Sequence, residues 1–385
     1  MVKSCDIAII GGGPVGTALA LALRESGLKI SLLEARRGED ANPDPRALAL
    51  SYGSRLILAQ LGVWNKLGAI SSIKTIHISQ KNSFGRTLLT AAELAVPDLG
   101  YVLPYATLQT ALQDALAGSA VKLETGATVT QLDHSAEGAA ITYRQDDKEL
   151  LLRAHLVVVA DGGKLLAATH PAEIHDYGQS AVIAHVTCSQ PKADTAFERF
   201  TPQGPLALLP YQAGYELVWT VARPELEAML HWNDATLLAQ LHQHFGDRVG
   251  TFLTVGQRSS FPLRLKRAPD TTLPHTVLIG NAAQTLHPVA GQGFNLGLRD
   301  VWELARTIQR YTPATLGSEA MLNTYRHARA RDRDSGIHFT DSLVRLFSND
   351  WPLLGPTRAA SLSLLDCLPV VKKFVAKRMM FGLNG

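Results

Sequence analysis

Cysteine is scarce in this chain: Cys5, Cys188 and Cys367 are the three among 385 residues, far apart and without CxxC spacing. That argues against a disulfide framework or a cysteine-based zinc site and favours a reducing compartment. Net charge is small as well. Lys and Arg number 37 against 34 Asp and Glu, a formal +3, too mild to suggest a nucleic-acid partner. No window approaches the roughly 18 consecutive apolar residues of a membrane-spanning helix. The opening MVKSCDIAIIGGG carries one Lys, has its apolar run broken by Asp6, and lacks the small-residue cleavage site of a signal peptide. Repeats and low-complexity segments are missing too. These absences leave a cytoplasmic protein whose membrane contact, if any, is peripheral. At 46% hydrophobic and 18% charged, it reads as an ordinary globular chain. Its length suits two domains, or a large one with another inserted.

What is present begins with short apolar runs. Ile7–Ile10 reads as a fully buried strand, Gly11 to Gly13 as a turn, and Pro14 as the first residue of a helix that stops near Gly27. Lys29–Glu34 is a second buried strand, so the opening is a βαβ unit and implies a parallel sheet. Helices are expected near 51–61 and 105–117, a half-exposed strand at 73–80, and several strands over 121–159 ending in Leu156–Ala160. From about 174 to 265 longer alternating strands take over, with one helix inserted at Asp234–Gly246. A buried strand returns at 276–279 and helices run to the end. The order predicts a parallel-sheet unit formed by 1–72, 98–173 and 266–340. A mainly antiparallel unit of 73–97 and 174–265 interrupts it, and a helical segment, 341–385, follows.

Three segments carry chemistry. Gly11-Gly12-Gly13-Pro14-Val15-Gly16 matches GxGxxG: Gly11 for a tight turn, Gly13 for approach of a pyrophosphate, Gly16 for helix-on-strand packing. A lone match is weak, but this one follows a strand, opens a helix, and is answered by Glu34 about 20 residues on, where a carboxylate can hold an adenosine ribose. Secondly, a buried strand ends at Asp161-Gly162-Gly163, which alone is a turn and no more. Thirdly, the strand 276–279 runs into GNAAQTLHPVAGQGFNLGLRD (280–300), stripped of large side chains. Gly291, Gly293 and Gly297 would let a helix end lie against a flat ring or a phosphate. A glycine-rich hairpin or helix contact is the plainer explanation of that last segment alone. Together the three point to FAD rather than a nicotinamide dinucleotide as the tightly bound group.

Jointly, these motifs with PDPRALALSYGSRLIL (43–58) and FERFTPQGPLALLP (197–210) resemble the single-component flavin aromatic hydroxylases, the p-hydroxybenzoate hydroxylase group. Within it the chain is similar to the ubiquinone-biosynthesis branch, over nearly its whole length. The resemblance implies an α/β fold, a Rossmann-like FAD-binding domain with an inserted, mainly antiparallel substrate domain and C-terminal helices. It implies that Gly11, Gly13 and Gly16 hold the pyrophosphate and Glu34 the ribose. Arg46, otherwise read as a surface Arg, would face the flavin and the incoming NADPH or NADH. Asp161 and Gly162 would border the pyrophosphate. Asn281 would bond the ribityl chain, and the loop 288–295, with Pro288, Gly291, Gly293 and Asn295, would lie along the isoalloxazine. The implied reaction is hydroxylation of 2-polyprenyl-6-methoxyphenol with O2 through a flavin C4a-hydroperoxide. Polyprenyl phenol, O2 and other ubiquinone-biosynthesis proteins are then the partners.

The chain departs from the broad family's pattern in three places. Asn281 and Gln284 stand where Asp and His are usual, a form associated with the 6-methoxyphenol branch. Leu165 and Ala168 replace the usual Ser and Arg after Asp161-Gly162, which weakens the expected contacts to the pyridine nucleotide. His287 is the first candidate for a general base, set against the plainer reading of a structural His beside Pro; Tyr211 and His185 are weaker candidates. The C-terminal segment interleaves Val371, Phe374, Val375 and Met379 with Lys372, Lys373, Lys377 and Arg378. It can lie on an anionic membrane or dock on protein. Two rivals stay open. A hydroxylase of a soluble acid would need a cationic clamp, for which Arg199, Arg223 and Arg258 are available; a non-catalytic flavoprotein subunit of a biosynthetic assembly would be excluded by NADH or NADPH oxidation that speeds up with added phenol.

Overall fold

The structure, a computed structural model, describes residues 3–37, 44–68, 70–347 and 354–383. Pro43 of the segment 43–58 and the last two residues of the C-terminal segment lie outside these. The first sheet is built on Lys3–Ile10, flanked in parallel by Lys148–Val159 and Ile30–Glu34, then by Thr276–Leu278 and Lys122–Thr125. An antiparallel hairpin, Thr128–Ser135 and Gly138–Gln145, pairs onto Lys148–Val159. These central strands are apolar on both sides because both faces are covered. Ile7, Ile9, Leu32 and Val158 pack under residues of the helices Pro14–Ala22, Tyr105–Leu116 and Gln292–Ile308. Ala8, Ile10, Leu33, Val157 and Val159 pack with Ala139, Ile141 and Tyr143 of the hairpin. The first helix ends at Ala22, not Gly27: residues 23–26 form turns and Gly27 reverses the chain at φ +74°.

Among the described residues the second sheet has nine strands. Ser259–Arg267, Glu173–Cys188, Gly214–Ala222, Gly204–Tyr211 and Thr195–Thr201 run antiparallel in that spatial order. Thr75–Gln80, from far earlier in the chain, adds in parallel to Thr195–Thr201 and carries Arg86–Thr90 with it. Alternation along these strands sorts two faces. Val182, Phe197, Leu208, Leu217 and Trp219 are buried with Leu237, Leu241 and Phe245 of the helix Asp234–Phe245. A second helix, Arg223–His231, follows its strand without a loop, which is why the sequence pattern concealed it.

The other face is unusual for mid-sheet positions. Ile183, Glu198, Ala207, Leu209 and Val218 are only partly buried. This face looks onto the strand Ala47–Ser51 and the loop after His287. Ala196, Ile76, Leu209 and Tyr211 share a cluster with Ala47, and Phe200 and Ile78 share one with Val289. The half-accessible positions between these two contacts mark a candidate cleft, walled by Ile183, Ala207, Leu209 and Val218 with Glu198 among them, between the second sheet and the glycine-rich segments of the first. Lys266 and Arg267 pair with Thr285 and Gln284, tying the two units together beside it.

Candidate active site

The three motifs meet. A Cβ on Gly11, at φ +107°, would lie 2.6 Å from the Ala160 carbonyl oxygen, so the first turn sits directly on the second. A Cβ on Gly163 would lie 3.5 Å from Ala282 Cα, so the second sits on the third. Gly280 and Gly297 both press on Val15, closing the ring from the third motif back to the first helix. Asp161 shapes its own turn: its carboxylate accepts from the N–H groups of Gly163 at 2.8 Å and Leu165 at 2.6 Å.

Most of these glycines are explained by packing or by φ. Two are not. Gly13 is the N-cap of the first helix, at an ordinary φ of −69°, and no side chain caps that helix. The nearest atom to a Cβ there would be the Tyr105 hydroxyl, at 3.8 Å. At Gly293, in the first turn of Gln292–Ile308, no described atom lies within 4 Å. A side chain there would meet no described atom, so Gly293 leaves open space at the helix start. Both helix starts present free N–H groups and positive dipole ends to whatever occupies that space.

Around this floor, Glu34 points at the first turn. One carboxylate oxygen accepts from Gly12 N–H at 2.6 Å, the other from the Arg36 backbone and Nε at 3.0 and 2.8 Å. Burial pushes its pKa up, but the bonds from Arg36 and Gly12 outweigh burial and hold it below its ordinary value. A carboxylate so engaged keeps lone pairs for a ribose hydroxyl. Asn281 is exposed at the opposite turn. Arg46 is held by Asp44, with Nε at 2.8 Å, and its guanidinium lies over the rings of Phe261 and Tyr105 at 5.3 and 5.8 Å. It is therefore at the mouth of the cleft. Pro288 is exposed in the loop that follows His287.

Two expected site residues turn out to hold the scaffold. Asn295 is buried, and its amide is saturated: it accepts from Ser51 N–H and the Ser54 hydroxyl and donates to the carbonyls of Ala49 and Gly291. It clamps the loop to the strand Ala47–Ser51 instead of offering its side chain to a cofactor. His287 is 1% exposed, and its Nδ1 accepts from Val289 N–H at 3.1 Å. The proton of the neutral ring is thus on Nε2, and burial pushes the pKa down to about 4. A base whose lone pair is already used and whose cation is desolvated is poorly placed to take a proton, which corrects the expectation of a catalytic His287.

Beneath the floor lies a buried ionic network that the motifs gave no hint of. Asp300 accepts from Gly280 N–H at 3.1 Å, Gln284 Nε2 at 2.8 Å and Arg329 at 2.7 and 2.9 Å. Arg329 also bonds Asp332 at 2.5 Å, which Arg299 bonds at 2.9 Å. Gln284, one of the departures noted above, is thus the neutral partner of a buried carboxylate.

The cationic clamp is not assembled. Arg199 is buried on the helix-covered side, bonded to the His244 carbonyl and Ser79. Arg223 pairs with Asp176 and Arg258 with Asp234. His185 and Tyr211 do come together, with rings 6.1 Å apart, and His185 pairs with Glu216 at 3.1 Å.

A doubly exposed nucleotide floor, facing an apolar cleft on an inserted sheet, defines a flavin-dependent monooxygenase fold. The sequence model of the FAD binding domain family matches residues 4–336, and this chain belongs to that family as an FAD-dependent monooxygenase. Its cofactor is FAD. It is 32% identical to the 3-demethoxyubiquinol 3-hydroxylase of Escherichia coli over 391 residues, 97% of each chain. It is also 32% identical to the ubiquinone hydroxylase UbiL of Rhodospirillum rubrum, over 99% of this chain and 91% of that one. Among solved structures, p-nitrophenol 4-monooxygenase PnpA of Pseudomonas putida superposes with a TM-score of 0.79 at 16% identity, covering 99% of this chain and 100% of that one; this likeness concerns the fold.

Proposed function

We propose that this protein hydroxylates the ring of a polyprenyl phenol in ubiquinone biosynthesis, with 2-polyprenyl-6-methoxyphenol as substrate. The observation that carries this reading is the cleft wall: half-accessible positions in mid-sheet, apolar but for Glu198 in the central row and the His185–Glu216 pair beside it, with Arg199, Arg223 and Arg258 each paired elsewhere. A soluble aromatic acid would leave its carboxylate unpaired there; a prenylated phenol would not. The names of the relatives support the same substrate class. Overall, a ring C–H, O2, NAD(P)H and a proton become a ring C–OH, water and NAD(P)+.

FAD would lie with its pyrophosphate on Gly11, Gly13 and Gly16, its ribose on Glu34, and its ring system along Pro288–Gly293 with Asn281 at the ribityl chain. When bound it supplies the oxygen-activating chemistry, by the route the resemblance implies. The chain's own residues then orient the ring and keep water out. Arg46, at the mouth, is placed to meet the nicotinamide cofactor.

The C-terminal helix Pro369–Phe381 has two faces. Lys372, Ala376 and Met380 are buried, Lys372 in ion pairs with Glu93 at 2.9 Å and Asp366 at 3.3 Å. Val370, Val371 and Phe374 are exposed beside Lys373 and Lys377. The first face docks on protein; the second is suited to an anionic membrane, where the substrate resides. No described helix is long and apolar enough to cross a membrane.

The decisive experiment is to purify the protein and record its flavin spectrum. NADPH and NADH oxidation is then followed with and without added prenylated phenol, and the intermediate that accumulates on gene loss is identified. Oxidation that speeds up with the phenol and yields a hydroxylated ring is expected. A flavoprotein indifferent to every phenol would instead be a non-catalytic subunit.

A further inference from the structure

Glu198 is the feature of the cleft that this reading has not yet used. Strand register places it in one row with Ile78, Ala207, Val218 and Ile183. Its same-face neighbours show what the row looks at. Ala196 shares a cluster with Ala47, on the strand that follows Arg46, and Phe200 shares one with Val289 of the flavin loop. That strand and that loop meet at Ala49 and Gly291. Glu198 therefore stands between two clusters that both border the glycine-rich floor.

A carboxyl among Ile, Ala and Val needs a reason. Its Oε1 is sealed and has no hydrogen-bond partner among the described residues. Protein surrounds the residue, yet part of its surface stays accessible, as in the wall of a cavity. Burial is the one cause acting on its pKa, which is pushed up to about 7. No charged neighbour among the described residues acts on it. Glu216 and His185, in the next row, hold each other at 3.1 Å, and on the helix packed beside Phe200, Asp341 is held by Tyr177 and Arg345.

We propose that Glu198 receives the proton of the substrate's phenolic hydroxyl when the ring lies in this cleft. The inference rests on the aromatic-hydroxylase reading and names the base that reading lacks. The phenolic O–H bond breaks and a carboxyl O–H bond forms. The electron pair left on oxygen enters the ring and strengthens the carbon that takes up one oxygen atom of O2, whose other atom leaves as water at the expense of NAD(P)H. The ring then loses its C–H proton to water and regains aromaticity, while Glu198 returns its proton to the phenolic oxygen. An acceptor with a raised pKa lies closer to a phenol, near 10, than an ordinary carboxylate does, which favours the transfer.

Glu198→Gln keeps size and shape and removes the base. Formation of hydroxylated product should fall about 100-fold, with H2O2 formed in place of product. The rise of wild-type kcat/KM through about pH 7 should disappear. Bound 4-nitrophenol, whose phenolate absorbs in the visible, reads the proton without turnover: on wild type, where it shares a proton with Glu198, its ionisation should be broadened and completed at higher pH, and on the variant it should be a single step at lower pH. FAD content and Tm verify that the variant is folded. Wild-type hydroxylation and pH profile in Glu198→Gln, or identical titration of the bound nitrophenol, would overturn the assignment. A wild-type holoenzyme that ignores every phenol would instead sink the hydroxylase reading, and this assignment with it.

Discussion

Single residues at the nucleotide floor divide by what their missing side chains do. At Gly16 a Cβ would fall 1.9 Å from the Gly11 carbonyl oxygen, so Gly16→Ala should prevent folding of the first turn. At Gly293 nothing is in the way, so Gly293→Val should fold with a Tm within a few degrees of wild type. It should bind FAD at least 10-fold more weakly, read by flavin fluorescence titration. Equal FAD affinity would show that the Gln292–Ile308 helix end does not meet the cofactor. Glu198 makes a separate prediction through linkage. Its folded pKa, about 7, lies above the ordinary carboxyl value of 4.5. Below the lower value both states are protonated and no penalty exists. Between the two the unfolded chain ionises while the folded protein keeps its proton, so stability falls with rising pH and the loss is complete above about 7. Glu198→Gln should therefore stabilise the protein at pH 8 by about 1–3 kcal/mol and leave it unchanged at pH 4, measured by urea unfolding. An unchanged difference across pH would refute the raised pKa.

At the scale of elements, the network Gln284–Asp300–Arg329–Asp332–Arg299 joins the turn at Gly280 to two helices, Gln292–Ile308 and Glu319–Phe347. Asp300→Ala would leave Arg329 buried and half-unpaired, at a cost of about 3–5 kcal/mol, and would free the Gly280 N–H. A large Tm drop with weakened FAD binding is expected; a shift under about 2 °C would show that the pair is replaceable. Asp332 sets the acid side. Burial raises its pKa, but Arg299 and Arg329 outweigh that and hold it below its ordinary value. Its contribution is therefore complete above the usual Asp range and lost as pH falls through the lowered one. None of this was legible in the sequence. The run Arg329 to Asp334 looks like a solvated charged face, and only the tertiary fold shows that Arg329 and Asp332 point inward. The βαβ opening, by contrast, was legible, because Ile7–Ile10, Gly11, Pro14 and Glu34 each answer to a local rule. Asn295, His287 and Arg329 share one reason for being hard to read: adjacency to a motif does not reveal which way a side chain faces. Glu198 lies in FERF, where alternation marks a face but not what lies opposite it.

Across the whole molecule the C-terminal helix joins the site's scaffold to an exposed apolar and basic face. Its last turn is bonded into the site's scaffold: the Ser51 hydroxyl donates to the Met380 carbonyl at 2.9 Å, and Ser51 N–H is held by Asn295. Its first turns expose Val370, Val371 and Phe374, close in sequence to exposed Leu368 at its N-cap and Leu364 of the preceding helix Leu354–Cys367. Lys373 and Lys377 flank them, each adding about 1 kcal/mol of attraction to an anionic surface, so the pair should give roughly 30-fold preference over a neutral one. Wild type should float with vesicles of phosphatidylglycerol and phosphatidylethanolamine and not with phosphatidylcholine alone. Val370→Asp with Phe374→Asp should abolish flotation while turnover of a short-chain, soluble phenol continues, because these side chains are remote from the buried face that docks on Glu93. Lys372→Met should do the reverse, lowering Tm through loss of the pairs with Glu93 and Asp366 without changing the lipid preference of the folded fraction. Equal flotation of wild type and the double Asp variant would mean that the exposed face meets something other than lipid, and the substrate must then be delivered by a protein partner.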